Sequence, residues 1–124
     1  MVEVMRMLSI VVYPKCGTCR NAVKWLNENQ IEFTQRHILD ESLSVEEIRE
    51  IHVKSGLPIK RLFNTSGMKY RELALKDKID EMSDAECYAL LATDGMLVKR
   101  PLAYKPSGQI TLGFKVNEYE EMWK

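Results

Sequence analysis

The spacing of hydrophobic residues alternates along this chain between a short, strand-like period and a helical one, and each stretch predicts an element. Leu8-Ser9-Ile10-Val11-Val12-Tyr13 is an apolar, β-rich run that predicts a strand over residues 8–13, stopped by Pro14. A helical period follows over residues 20–30, with Cys19, Ala22, Val23 and Leu26 on one face and Trp25 beside them. Residues 32–38 predict a second strand. Strand, helix and strand within about thirty residues make a βαβ unit, so the two strands should run parallel.

The middle of the chain, residues 44–94, is helical in pattern. Ser44-Val45-Glu46-Glu47 is a capping box, Val45, Ile48, Ile51 and His52 follow at helical spacing, and Gly56 is a stop. Pro58 opens a short segment with Ile59, Leu62 and Phe63 at i, i+3, i+4, and Asn64-Thr65-Ser66-Gly67 reads as a turn. Residues 69–80 carry a weak helical pattern. Ser83-Asp84-Ala85-Glu86 is a second capping box, with Cys87, Leu90 and Leu91 as the apolar stripe behind it and Asp94-Gly95 as the end.

From residue 96 the period shortens again. Residues 96–104 read as a strand with Pro101 inside it, Lys105-Pro106-Ser107-Gly108 as a turn, and residues 109–114 as an alternating strand, which together predict an antiparallel hairpin. Asn117-Glu118-Tyr119-Glu120 then predicts the cap of a last helix carrying Tyr119, Met122 and Trp123. The order is a βαβ half (8–38), a helical insertion (44–94) and a ββα half (96–124). This is the thioredoxin-type α/β layout around a mixed four-stranded sheet, in one domain over 1–124.

Composition narrows the class. The 124 residues are 45% hydrophobic and 29% charged, as expected for a soluble globular chain with one core. No apolar stretch approaches the roughly 20 residues that cross a bilayer, and the start lacks the apolar region and cleavage site of a secretory signal. Residues 1–6 are expected to be a loose extension. The 18 basic and 18 acidic residues balance, so no overall charge argues for direct nucleic-acid binding. Three cysteines in a chain without a secretory signal suit a reducing, cytoplasmic compartment and catalytic use of the thiols.

The chemistry sits between the first strand and the first helix, at Cys16-Gly17-Thr18-Cys19. A helix start presents unpaired N–H groups and a partial positive charge, which favour thiolate over thiol in a cysteine held there. Cys16 is therefore the expected nucleophile, with Lys15 and Arg20 adding positive charge nearby. Cys19, about one turn on, can close a local disulfide or can pack as a small apolar residue with Ala22 and Leu26. Zinc needs about four ligands, and beyond this pair only Cys87, His37 and His52 remain, without a second paired motif. Cys87 reads as a core residue, and no metal or bound cofactor is expected. Gly17, Thr18 and Asn21 can cradle an anion through loop N–H groups or cap the helix. Arg100 precedes Pro101 and supplies a permanently charged fork suited to oxyanions. Asn64 can bind substrate or shape its turn.

The chain resembles the ArsC/Spx family of thioredoxin-like proteins, in particular its small ArsC-like and Spx- or MgsR-like members from Gram-positive bacteria. The resemblance rests on Tyr13-Pro14-Lys15-Cys16-Gly17-Thr18-Cys19-Arg20-Asn21, on Leu97-Val98-Lys99-Arg100-Pro101-Leu102 and on Gly113-Phe114, and covers the chain from Met7 onward. It implies two functions. In the arsenate-reducing members the cysteine matching Cys16 attacks arsenate, the arginine matching Arg100 holds the oxyanion, and Pro101 matches a cis-proline facing the cysteine. Electrons there come from glutathione and glutaredoxin, with thioredoxin as the alternative reductant. In the Spx-type members the pair matching Cys16 and Cys19 is a redox switch, and the protein binds the C-terminal domain of the RNA polymerase α subunit without touching DNA. The chain departs from the reductase pattern at Cys19, where serine is usual, and at Asn64, where an oxyanion-binding arginine is expected and Arg61 is out of register. It ends at Lys124 without the long basic tail associated with the regulators, and Gly56 falls where they carry a docking glycine. The expected site is thus Cys16, Cys19 and Arg100, with Gly17, Thr18, Arg20, Asn21, Asn64 and Pro101 around the substrate.

Overall fold

The structure, a computed structural model, describes residues 7–124; the extension expected at residues 1–6 lies outside the described residues. The elements are β1 (Leu8–Val12), α1 (Gly17–Glu28), β2 (Phe33–His37), α2 (Val45–Ser55), α3 (Met68–Glu72), α4 (Asp84–Thr93), β3 (Leu102–Tyr104), β4 (Ile110–Leu112) and α5 (Val116–Trp123). They divide into two compact units: residues up to His37 together with Arg100–Lys124, and Ile38–Lys99.

The first unit carries the sheet, in strand order β2-β1-β3-β4. β1 and β2 run parallel, with Leu8 opposite Phe33 and Val12 opposite His37, as a βαβ connection requires. β3 is antiparallel to both β1 and β4, which gives the mixed four-stranded sheet expected of the layout. Leu8, Ile10 and Val12 alternate onto one face of β1 and pack with Cys19, Ala22 and Leu26 of α1 and with Tyr119 and Trp123 of α5. The helix period and the strand period thus meet in one core. A polar link runs through it, where Trp123 Nε1 donates to Thr111 Oγ1 at 3.1 Å.

The second unit is built on two capped helices. Ser44 accepts from the Glu47 N–H while the Glu47 carboxylate accepts from the Ser44 N–H, and Ser83 and Glu86 repeat the arrangement at α4. Gly56 ends α2 at φ 67°, the left-handed conformation that glycine adopts without a Cβ penalty. His52 of α2 meets Tyr88 of α4, Nδ1 to hydroxyl, at 2.5 Å.

Several sequence expectations are corrected. Residues 96–104 are not one strand. The Asp94 carboxylate accepts from the Met96 N–H at 2.9 Å and starts a 3-10 turn over Gly95–Leu97. Leu97, Val98 and Lys99 then pair with Leu62, Phe63 and Asn64 inside the helical unit, through Asn64 N–H to Leu97 O at 2.7 Å and Lys99 N–H to Leu62 O at 2.8 Å. Only Leu102–Tyr104 joins the sheet. Residues 69–80 form the short α3 and two 3-10 turns, broken where Ala74 takes φ 52°. Asn117 does not cap α5; the cap position is Lys115, with no side-chain bond. Val45, at helical spacing with Ile48 and Ile51, is exposed: it is the first residue of α2 and precedes the buried stripe that Ile48 and Ile51 begin.

Candidate functional site

The helix α1 starts three residues earlier than its apolar period suggests, because Cys16 itself is the cap. Cys16 is extended (φ −90°, ψ 113°), its carbonyl accepts from the Arg20 N–H at 3.1 Å, and its Sγ accepts from the Cys19 N–H at 3.3 Å. A sulfur thus occupies the place that a serine oxygen takes in an ordinary N-cap. The first turn of α1 contains no acidic residue, so no acid of the helix itself neutralises its positive end. The loop is closed on its other side by the Cys16 N–H, which donates to Tyr13 O at 2.9 Å.

The two cysteines share a turn and differ in environment. Both are free thiols, and Cys16 is half-buried while Cys19 is 1% exposed. Burial, with the hydrogen bond to Cys16 second, pushes the Cys19 thiol up to about 12, against smaller opposing effects of the Tyr13 backbone and the Arg100 charge. Cys19 is therefore held protonated, and it backs Cys16 with its peptide N–H and its thiol. The arrangement can form a nucleophile at Cys16 and, one turn away, a thiol able to displace whatever Cys16 has bound.

Arg100 reaches the site from far along the chain. Its guanidinium lies 5.3 Å from the centroid of the Tyr13 ring, within cation–π range, and its charge acts on Cys19. The Arg100–Pro101 peptide is cis, and the Pro101 carbonyl accepts from the Gly113 N–H at 2.9 Å. Arg20 folds back over the loop, its Nη1 donating to Pro14 O at 3.1 Å. Gly17, Thr18 and Asn21 are exposed on the first turn and a half of α1.

Cys16, Gly17, Thr18, Cys19, Arg20, Asn21, Arg100 and Pro101 thus all belong to the sheet unit. Asn64 belongs to the helical unit and acts there as a turn former: its carbonyl accepts from the Gly67 N–H at 3.0 Å, and a Cβ on Gly67 would fall 2.7 Å from its Nδ2. Tyr13 is a site residue that the sequence reading gave no role, although it opens the Tyr13-Pro14-Lys15-Cys16 motif. It stacks on Arg100 and meets His37 edge-on, with ring centroids 6.1 Å apart. Among the described residues no three His, Cys, Asp or Glu side chains gather as metal ligands, and no helix is long and apolar enough to cross a membrane.

The sequence profile of the ArsC family matches residues 12–122. The chain is 52% identical over 116 residues to the uncharacterized protein YusI of Bacillus subtilis, covering 94% of this chain and 98% of that one. It is 28% identical to the global transcriptional regulator Spx 2 of Bacillus anthracis, over 88% of this chain and 82% of that one. The crystal structure of a possible arsenate reductase from Streptococcus mutans superposes with a TM-score of 0.84 at 40% identity, covering 93% of this chain and 98% of that one.

Proposed function

We propose that this chain, which belongs to the ArsC family, is a thiol-dependent oxidoreductase of the arsenate reductase type with Cys16 as its nucleophile. The observation that carries the reading is the asymmetry of the cysteine pair. Cys16 accepts an N–H at an acid-free helix start, and Cys19 behind it is buried and protonated. A thiolate at Cys16 attacks the arsenic of arsenate, forms a sulfur–arsenic bond and releases water. A second thiol, Cys19 or an external one, then attacks the Cys16 sulfur. A disulfide forms, the sulfur–arsenic bond breaks, and its electron pair stays on arsenic, which leaves as arsenite. Arg100 faces the charge of the oxyanion. Glutaredoxin with glutathione, or thioredoxin, returns two electrons to the disulfide.

The test is arsenate-dependent NADPH oxidation by the reduced protein, coupled in parallel to glutathione with glutaredoxin and to thioredoxin with its reductase. Turnover that disappears in Cys16→Ser supports the enzyme, and the active coupling system names the donor. Absence of turnover in both, with a Cys16–Cys19 disulfide still forming under mild oxidant, overturns it.

A second reading is favoured by the presence of Cys19 itself and by the likeness to Spx 2. In that reading the pair is the switch of a transcriptional regulator that docks on the C-terminal domain of the RNA polymerase α subunit. Retention of that domain by the reduced but not the oxidised chain, without arsenate turnover, is its signature.

A further inference from the structure

The sheet unit holds a cleft on the side of the cysteine pair that Cys19 faces. α1 packs over β1 and leaves the edge strand β2 partly uncovered, so a cleft of about 600 Å³ opens between α1, the end of β1 and Gln35 of β2. Val12, Tyr13, Pro14 and Val23 supply its apolar lining. Cys19, but not Cys16, forms part of its wall. The rim carries Arg20 and Lys24 against one acid, Glu28, which pairs with Lys24 at 4.0 Å. Of the five N–H donors of Arg20, one is turned to Pro14 O. The volume lies in the range that encloses a small organic ligand, and an apolar lining with a few placed charges is the usual make-up of such sites.

We propose that this cleft binds a small organic anion with an apolar body, an aromatic carboxylate or sulfonate, and that its occupancy is linked to the redox state of the cysteine pair. The ring system lies on Val12, Pro14 and Val23, and the anionic group meets Arg20 and Lys24, where the rim has a net charge of one positive. The linkage follows from Cys19. In the dithiol Cys19 is part of the cleft wall. Exchange with an external disulfide RSSR converts the two thiols into one Cys16–Cys19 disulfide and two RSH, which draws the Cys19 sulfur to bonding distance of Cys16, about 2 Å, and remakes that wall. A ligand fitted to the dithiol wall binds the disulfide form less well, and by reciprocity it stabilises the reduced pair. The linkage rests on the reading of Cys16 and Cys19 as a redox pair; the cleft does not.

The experiment titrates anilinonaphthalene sulfonate, and its uncharged analogue phenylnaphthylamine, into the reduced full chain and into the chain oxidised with glutathione disulfide, with a thiol count on each sample. The reduced chain is expected to bind one sulfonate saturably and more tightly than the analogue. The isosteric Gln35→Glu and the reversal Lys24→Glu should each weaken the sulfonate about three- to fivefold, the size of a surface charge contact. Lys76→Glu, in the helical unit, should leave it unchanged. The oxidised chain should bind more weakly, and each tenfold of preference for the dithiol raises the reduction potential of the pair, read in glutathione redox buffers, by about 30 mV. Absence of saturable binding, or binding unaffected by both Gln35→Glu and Lys24→Glu, overturns the site. Equal affinity for the two redox states overturns the linkage. A thiol count that never falls on oxidation counts against the redox reading and the linkage, while the charge variants still decide the cleft.

Discussion

Three helices of this protein begin in two different ways. α2 and α4 start with a serine whose oxygen accepts from the third helical N–H, answered by a glutamate on the serine's own N–H, and both carry acids in the first turn. α1 starts with a sulfur in the serine's place and has no acid in its first turn. The first arrangement satisfies the helix end within the protein and neutralises its positive pole. The second leaves that pole to act on Cys16 and on whatever anion Cys16 meets. A helix start can be spent on stability or on reactivity, and the acid three residues after the cap distinguishes the two: Glu47 and Glu86 in the helical unit, Cys19 in the sheet unit.

The largest test of this contrast is Cys16→Ser. Serine caps as Ser44 and Ser83 do, so the melting temperature should stay close to that of the parent, while thiol-dependent turnover falls by about 1,000-fold or more. A variant that loses stability to the same extent as activity would place Cys16 in a structural role.

Next comes Thr18→Glu, which gives α1 the first-turn acid that α2 and α4 already have. The helix should gain about 0.3–1 kcal/mol in denaturant unfolding. The rate of Cys16 alkylation by iodoacetate should fall about tenfold, since a like charge a few ångströms away opposes both the thiolate and an anionic reagent. Equal alkylation rates in the two proteins would show that the open helix start has no influence on the thiol.

The third test uses pH. Cys19 is raised from 9.0 to about 12 and Tyr119 from 10.0 to about 12, both chiefly by burial. A group whose pKa is raised by folding stabilises the protein below its unfolded pKa and loses that contribution as pH climbs to the folded value. Unfolding free energy should therefore decline between about pH 9 and 12, and Cys19→Ala should flatten the first part of that decline. An unchanged slope in the variant would show that Cys19 ionises as readily folded as unfolded.

The smallest effects belong to the helical unit. Ser44→Ala and Ser83→Ala should each cost about 1 kcal/mol of stability and leave the alkylation rate of Cys16 unchanged. A change in that rate would mean that the two kinds of helix start are not independent.

Much of this was readable along the chain. The two capping boxes, the stop at Gly56, the apolar, β-rich run of β1 and the Cys-x-x-Cys at a strand-to-helix junction are short-range patterns, and the structure places them where those patterns lie. The largest failure concerns a partner. Leu97, Val98 and Lys99 look like sheet residues and are in extended pairing, but with Leu62–Asn64 of the helical unit instead of β1. The sequence carries the propensity to pair and not the identity of the partner. Val45 has the spacing of a core residue at a position where the helix has only begun.

The sequence alone determined the chemistry available to this protein: two thiols one turn apart at an acid-free helix start, and an arginine before a proline eighty-odd residues later. Tertiary structure alone decided how that chemistry is divided. Packing against Tyr119, Trp123 and β1 buries Cys19 and keeps it protonated, while Cys16 is left half-exposed. The pairing of β1 with β3 brings Arg100 to the Tyr13 ring. The physical reason is range. Capping and periodicity act over three or four residues and are written in neighbouring letters. Desolvation and the placing of a distant charge depend on which surfaces meet, and that is settled only when the sheet has formed around β1.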